Sequence, residues 1–219
     1  MLLKLDGVLD AAKISEIRNV LDSAKFTEAR GGPDAEVRNN LTAESGDSLT
    51  PAIQAVVTAL MVREDFTAYA LPHHITLQFN RYDTGMSFGD HCDAPLIGGQ
   101  RPGLRADLAF TLFLSDPESY EGGQLAIDAP SGTMRFKEPA GTVVVYAPDR
   151  LHRVEPVTGG TRLAAIGWVQ SLLRDEGERR IAAELAALRS AAEEAAPDGD
   201  LGARIGRLHG ALLRRWADV

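Results

Sequence analysis

Apolar positions fall into three regimes along the chain. Near the start they recur at helical spacing, as Ile14, Ile17, Val20 and Leu21 behind Asp10, then as Ile53, Val56, Val57, Leu60 and Met61 behind Thr50-Pro51. Residues at i, i+3, i+4 and i+7 share one helix face. Asp10 and Thr50 offer capping oxygens, and Pro51 suits a first helical position. Between the two helices, Ala29 to Asp47 is polar and holds Arg30-Gly31-Gly32-Pro33 and Arg38-Asn39-Asn40, which read as loop. From about Pro72 the apolar runs shorten and gain β-branched and aromatic residues, predicting strands at Ile75–Phe79, Ala106–Leu114, Gln124–Ile127, Thr142–Ala147 and Leu163–Val169. Most of these lie too close together for crossover helices, so an antiparallel sandwich or barrel is expected, not a doubly wound parallel sheet. After Gln170 the pattern turns helical again, over Glu178 to Ala195 and, beyond the turn Pro197-Asp198-Gly199-Asp200, over Leu201 to Trp216.

The expected organisation is α+β, mainly β with helices. Residues 1–71 form a mostly helical support, 72–172 the β core and 173–219 a C-terminal helical extension. No internal repeat is visible. Ile205, Leu208, Leu212 and Leu213 give the last helix one apolar side, which suits packing on the barrel or on a second subunit of a homo-oligomer.

Composition narrows the function classes. The 219 residues carry 23 Lys+Arg against 31 Asp+Glu, a formal charge of −8, and no basic run. Binding to nucleic acid depends on clustered cations that neutralise phosphates, so nucleic acid is not an expected partner. No apolar run reaches the ~20 residues of a membrane helix, and the first residues do not read as a secretory signal, so a cytoplasmic protein without membrane contact is expected. The single cysteine, Cys92, excludes an internal disulfide and a Cys-rich zinc module.

Candidate chemistry lies in the β region. His91 and Asp93 are two residues apart, which on a strand turns both to one side and Cys92 to the other. With His152 on a neighbouring strand, the set becomes two imidazoles and one carboxylate. That facial triad suits non-haem Fe(II) and leaves open coordination positions. A lone His-x-Asp is weak as a metal motif and reads first as a surface hydrogen-bonding pair. Arg162 strengthens the metal reading: it precedes the apolar strand Leu163 to Val169, and a buried guanidinium needs an anionic partner, such as the far carboxylate of a dicarboxylic cosubstrate. His73 and His74 are adjacent and read as structural, and His209 lies in the last helix.

The stretch Tyr82-Asp83-Thr84-Gly85-Met86-Ser87-Phe88-Gly89-Asp90-His91-Cys92-Asp93 resembles the Tyr-x-x-Gly-x-x-Tyr-x-x-His-x-Asp segment of prolyl-hydroxylase-type Fe(II)/2-oxoglutarate dioxygenases, with Phe88 in place of the second tyrosine. Together with Tyr120 to Leu125, Gly141 to Arg162 and the closing Leu208 to Trp216, it resembles the bacterial PKHD-type hydroxylases over most of the chain. The resemblance implies a double-stranded β-helix, or jelly roll, over 72–172. His91, Asp93 and His152 would be the Fe(II) ligands, Arg162 would hold 2-oxoglutarate, and Tyr82 would share that end or be a core aromatic. It implies O2 as cosubstrate, L-ascorbate as a further cofactor, release of succinate and CO2, and hydroxylation of a small molecule or peptide side chain. The competing reading is a non-catalytic, cupin-like metal or ligand binder of the iron response. Gly122-Gly123 and Gly141 read as turn glycines, and Trp168 as pocket wall or core.

Overall fold

The computed structural model describes residues 2–29, 36–98 and 103–218; the expected loop at Arg30-Gly31-Gly32-Pro33 lies outside them. In chain order the elements are β1 (Leu3–Leu5), α1 (Ala11–Asp22), β2 (Phe26–Glu28), β3 (Arg38–Asn39), β4 (Leu41–Ala43), α2 (Thr50–Met61), α3 (Glu64–Ala70), β5 (Pro72–Asp83), β6 (Ser87–His91), β7 (Leu96–Ile97) and β8 (Leu104–Arg105). They continue with β9 (Leu108–Phe113), β10 (Tyr120–Gly122), β11 (Leu125–Ala129), β12 (Gly132–Phe136), β13 (Val143–Tyr146), β14 (His152–Val154), β15 (Val157–Ser171), α4 (Glu176–Ala195) and α5 (Leu201–Trp216).

Among the described residues the larger sheet runs β1-β13-β9-β15-β5-β4-β2 with β10 on β15, and the smaller runs β12-β11-β14-β6-β3. The pairings between these strands are antiparallel, as expected. The central strands β9, β13 and β15 are covered on both faces, which is why they read as nearly unbroken apolar runs. Alternation splits them between two cores. Leu108, Phe110, Leu112, Val143 and Val145 face Ile14, Ile17, Val56, Leu60 and Phe66 of the helices. Ala109, Phe113, Val144, Tyr146 and Trp168 instead face Leu125, Ile127 and Phe136 of the smaller sheet. Each fully buried Leu, Val or Phe contributes roughly 1.5–3 kcal/mol, so the helical layer fixes the larger sheet while the inner core stays with the barrel.

The N-terminal helices form where their apolar stripes predict. Asp10 caps α1 by accepting a hydrogen bond from the Lys13 amide at 2.8 Å. Thr50 is the first helical residue of α2 and not its cap: a 3-10 turn over Asp47–Leu49 leads straight into the helix, which makes a side-chain cap unnecessary. Residues 1–71 are not helical support alone. β1 pairs with β13 and β4 with β5, while β3 extends the smaller sheet beside β6. These strands are two or three residues long, too short to show alternation, and Arg38-Asn39 is polar, so the segment read as loop. No helix among the described residues is long and apolar enough to cross a membrane.

Candidate metal centre and active site

The register of β6 on β14 sets His91 directly opposite His152, and Phe88 opposite Val154. Between those two pairs β6 advances three residues and β14 two, so β6 carries a bulge, a device that re-aims side chains. Phe88 and His91, three residues apart, consequently stack with centroids 3.6 Å apart and ring planes at 9°. His91 and His152 have centroids 4.2 Å apart.

Each imidazole is oriented by backbone. Nδ1 of His91 lies 2.8 Å from the Gly89 carbonyl oxygen, and Nδ1 of His152 lies 2.8 Å from that of Arg150. A carbonyl only accepts, so each Nδ1 is the donor, and in the neutral ring the lone pair a metal needs is then on Nε2. β6 ends at His91, so Asp93 is not held by the strand pairing that its spacing suggested. Its amide instead donates to the Pro148 carbonyl at 2.9 Å, fastening it to the turn before His152. Asp93 Oδ1 lies 4.0 Å from His91 Nε2 and 3.8 Å from His152 Nε2. The three residues present ligand atoms within 4.8 Å of one another. Cys92 is exposed, with its thiol 3.3 Å from the Asp149 carbonyl oxygen, and is not part of this cluster.

Arg162 is the register partner of Tyr82 across β15 and β5. It is 0% exposed, its Nε, Nη1 and Nη2 are buried without a well-formed hydrogen bond, and the neutral Tyr120 hydroxyl that interacts with it leaves its charge uncompensated. The guanidinium carbon is 5.0 Å from the Tyr82 ring centroid and 5.5 Å from that of Phe113. Burial raises the Tyr82 phenol above its ordinary pKa, while the Arg162 charge and a hydrogen bond with Asn80 pull it back. Tyr146, edge-on to His152 at 5.0 Å, is pushed above the ordinary phenol range by burial and then by the Asp93 charge. A buried cation with every nitrogen unsatisfied is unfavourable unless an anion joins it. Two imidazole nitrogens and one carboxylate form a donor set suited to Fe(II), so these residues fit both the metal and a dicarboxylate.

Trp168 forms part of the same cleft wall with Leu125, Val154 and Ile166. His73 and His74 are exposed at the start of β5, and His209 lies in a separate groove beside α3 and α4. Sequence reasoning missed Arg38 and Tyr146, which also line the cleft. Tyr146 was detectable as an inward position of a recognised strand. Arg38 was hidden in a polar stretch with no periodicity.

Two layered antiparallel sheets enclosing a His-Asp-His cluster define the class of 2OG-Fe(II) oxygenases, and the model of the 2OG-Fe(II) oxygenase superfamily matches residues 77–170. The fold is shared with a prolyl-4-hydroxylase of Pseudomonas putida, at TM-score 0.56 and 19% identity over 78% of this chain and 92% of that one. A viral collagen prolyl hydroxylase from Paramecium bursaria Chlorella virus-1 gives 0.55 and 19% over 78% and 95%. Full-length similarity is higher to PKHD-type hydroxylases: 38% identity to one from Acaryochloris marina and 40% to one from Thioalkalivibrio sulfidiphilus, with both chains fully covered in each case. The chain belongs to the PKHD-type hydroxylase family. It is an Fe(II)/2-oxoglutarate-dependent hydroxylase with a His-Asp-His triad.

Proposed function

We propose that His91 Nε2, His152 Nε2 and the Asp93 carboxylate hold Fe(II), and that Arg162 binds the distal carboxylate of 2-oxoglutarate with Tyr82 beside it. The substrate is a small molecule or a peptide side chain, acted on in the cytoplasm without nucleic acid or membrane, and L-ascorbate serves as an accessory reductant. The observation that carries this reading is the fully buried Arg162 guanidinium with three unsatisfied nitrogens. When bound, Fe(II) and 2-oxoglutarate supply the oxidising power, with O2 consumed and succinate and CO2 released.

The chain's own residues do the positioning. Gly89 and Arg150 carbonyls hold both imidazoles in the ligating tautomer. Leu125, Val154 and Ile166 keep the cleft wall apolar, which strengthens the pull of Arg162 on a carboxylate. Its permanent charge and planar fork match that group. The acidic exterior does not oppose an anionic cosubstrate, although residues 1–169, with 15 basic and 22 acidic groups, hold −7 of the −8 charge. Arg38 in the cleft wall and Arg162 against the Tyr82 ring bring positive charge to this region.

Anaerobic addition of Fe(II) and 2-oxoglutarate to the purified protein should produce a visible charge-transfer band. Succinate release, screened against cell extracts and iron-chelating metabolites, should then be stimulated by the fraction holding the substrate. No band in fully metallated protein overturns the proposal. Stoichiometric Fe(II) binding with 2-oxoglutarate affinity unaffected by Arg162→Ala would identify a jelly-roll binder instead.

A further inference from the structure

Besides the Arg162 guanidinium that lies against Tyr82, unsatisfied hydrogen-bond donors line the cleft itself. Arg38 Nε and Trp168 Nε1 are also buried without an acceptor, and both residues line the same cleft. Arg38 reaches it from the edge of the smaller sheet. β3 pairs with β6 so that Arg38 is opposite Phe88, and directly opposed residues of paired strands project to one face. The Arg38 guanidinium carbon lies 4.7 Å from the Phe88 ring centroid, and that ring is itself stacked on His91. Arg38, Phe88 and His91 thus form a three-layer stack that holds a cation one ring away from a triad histidine. Phe88 serves as the spacer, and its ring offers no hydroxyl oxygen to the guanidinium above it.

We propose that Arg38 is a specificity-determining residue that binds a carboxylate of the primary substrate, with the Trp168 indole N–H as a second donor. The hydroxylated substrate is therefore a carboxylic acid. This inference rests on the Arg162 assignment above, because a cosubstrate held there leaves Arg38 and Trp168 for a different ligand. Their positions separate the two roles: Arg162 is fully enclosed, whereas Arg38 is half-buried on a short edge strand, where a group entering from solvent can meet it. A buried donor without an acceptor is costly, and an incoming carboxylate relieves that cost. A site built in this way discriminates against analogues that lack the charged group.

The test titrates the anaerobic Fe(II)/2-oxoglutarate holoenzyme with N-acetyl-L-amino acids and with their carboxamides, following the visible charge-transfer band. At least one acid should perturb the band saturably, with its carboxamide at least about tenfold weaker. Arg38→Gln should lose that acid preference and Arg38→Lys should keep part of it. Thermal unfolding verifies that each variant is folded, and if Arg38→Gln fails to fold, the Arg38→Lys comparison decides. No saturable acid, equal binding of acid and carboxamide, or an unchanged preference in the folded variants overturns the inference. So does a loss confined to 2-oxoglutarate affinity, which would give Arg38 to the cosubstrate. A wild-type holoenzyme with no band at all marks failure of the underlying site assignment instead.

Discussion

His91 and His152 face each other as register partners on β6 and β14, and each is held through Nδ1 by the carbonyl two residues before it, Gly89 and Arg150, at 2.8 Å. Backbone carbonyls orient both rings, and the stacked Phe88 ring and the edge-on Tyr146 pack against them. Loss of an outer-shell partner alone typically weakens metal binding about 10–100-fold. Removing an imidazole outright should exceed that range, so His152→Ala should bind Fe(II) more than about 100-fold more weakly. Anaerobic calorimetric titration measures this, and near-wild-type affinity would refute the ligand role of His152.

Arg162 makes an opposite prediction for stability and function. Replacing a buried charge by an apolar side chain of similar length is often neutral or stabilising by about 1–4 kcal/mol. Arg162→Met should therefore melt at or above the wild-type temperature without ligand. Metal-loaded wild type at 2-oxoglutarate concentrations near 100 times its Kd should gain about 2.7 kcal/mol, and the variant should gain almost none. Calorimetric melting with and without 2-oxoglutarate separates the two effects; a large loss of stability without ligand would show that Arg162 is held by the fold itself.

These two sites also show how much was legible in the sequence. The clustering of His91, Asp93 and His152 was legible because chemistry and spacing coincide, and the burial of Arg162 was legible because the strand bearing it is apolar on both faces. The bulge in β6 was not legible, because an extra residue leaves no mark on composition and depends on the facing strand. Nor was the strand character of Arg38-Asn39. Its inward residue is a cation because it faces a cleft, so the alternation that identifies a strand is absent where the strand serves the site. The helices were legible because their stripes meet a single large core, while β1 is recognisable only through its pairing with β13.

The buried phenols define an alkaline limit. Burial is the leading cause of the raised pKa at Tyr82, Tyr120 and Tyr146, and each phenol is neutral in the fold. An unfolded tyrosine ionises near pH 10. Because the folded values lie higher, this contribution to stability is complete below about pH 10 and is lost as pH rises toward the folded values. Each such group removes about 1.4 kcal/mol per pH unit in that window. Tyr146→Phe should make the fall shallower by about that slope, as read from urea midpoints between about pH 10 and 12. An unchanged slope would mean that Tyr146 ionises within the fold.

Gly167 permits a close approach inside the larger sheet. It is the register partner of Phe110, and a Cβ there would lie 2.2 Å from Phe110 Cζ and 2.8 Å from the Thr76 carbonyl oxygen. Overpacking of this kind typically costs about 1–3 kcal/mol, so Gly167→Ala should destabilise by at least that much. Phe110→Leu withdraws the ring and should recover part of the loss. A double-mutant cycle by urea denaturation should give a coupling of about 0.5–3 kcal/mol, and additive losses would place the strain at Thr76 instead.

Polar contacts tie the C-terminal helices to the barrel at residues 172–174. Arg179, 6% exposed near the start of α4, donates through Nη1 to the carbonyls of both Leu173 and Arg174 at 2.8 Å. Beyond α5, the Asp218 amide donates to the Leu172 carbonyl at 2.9 Å, and its carboxylate meets Arg105 and Arg174. The Asp218 pairs are half-exposed, and exposed ion pairs contribute little. The buried Arg179 guanidinium should therefore dominate: Arg179→Met strands the buried Leu173 carbonyl, at about 1–3 kcal/mol, whereas the carbonyl of exposed Arg174 can turn to water. Urea denaturation should show that loss, and hydrogen exchange should show α4 and α5 opening before the sheets. If midpoint and exchange both stay at wild-type values, the helices are held by their apolar contacts, with Ala182 as the buried anchor, and the arginine is dispensable.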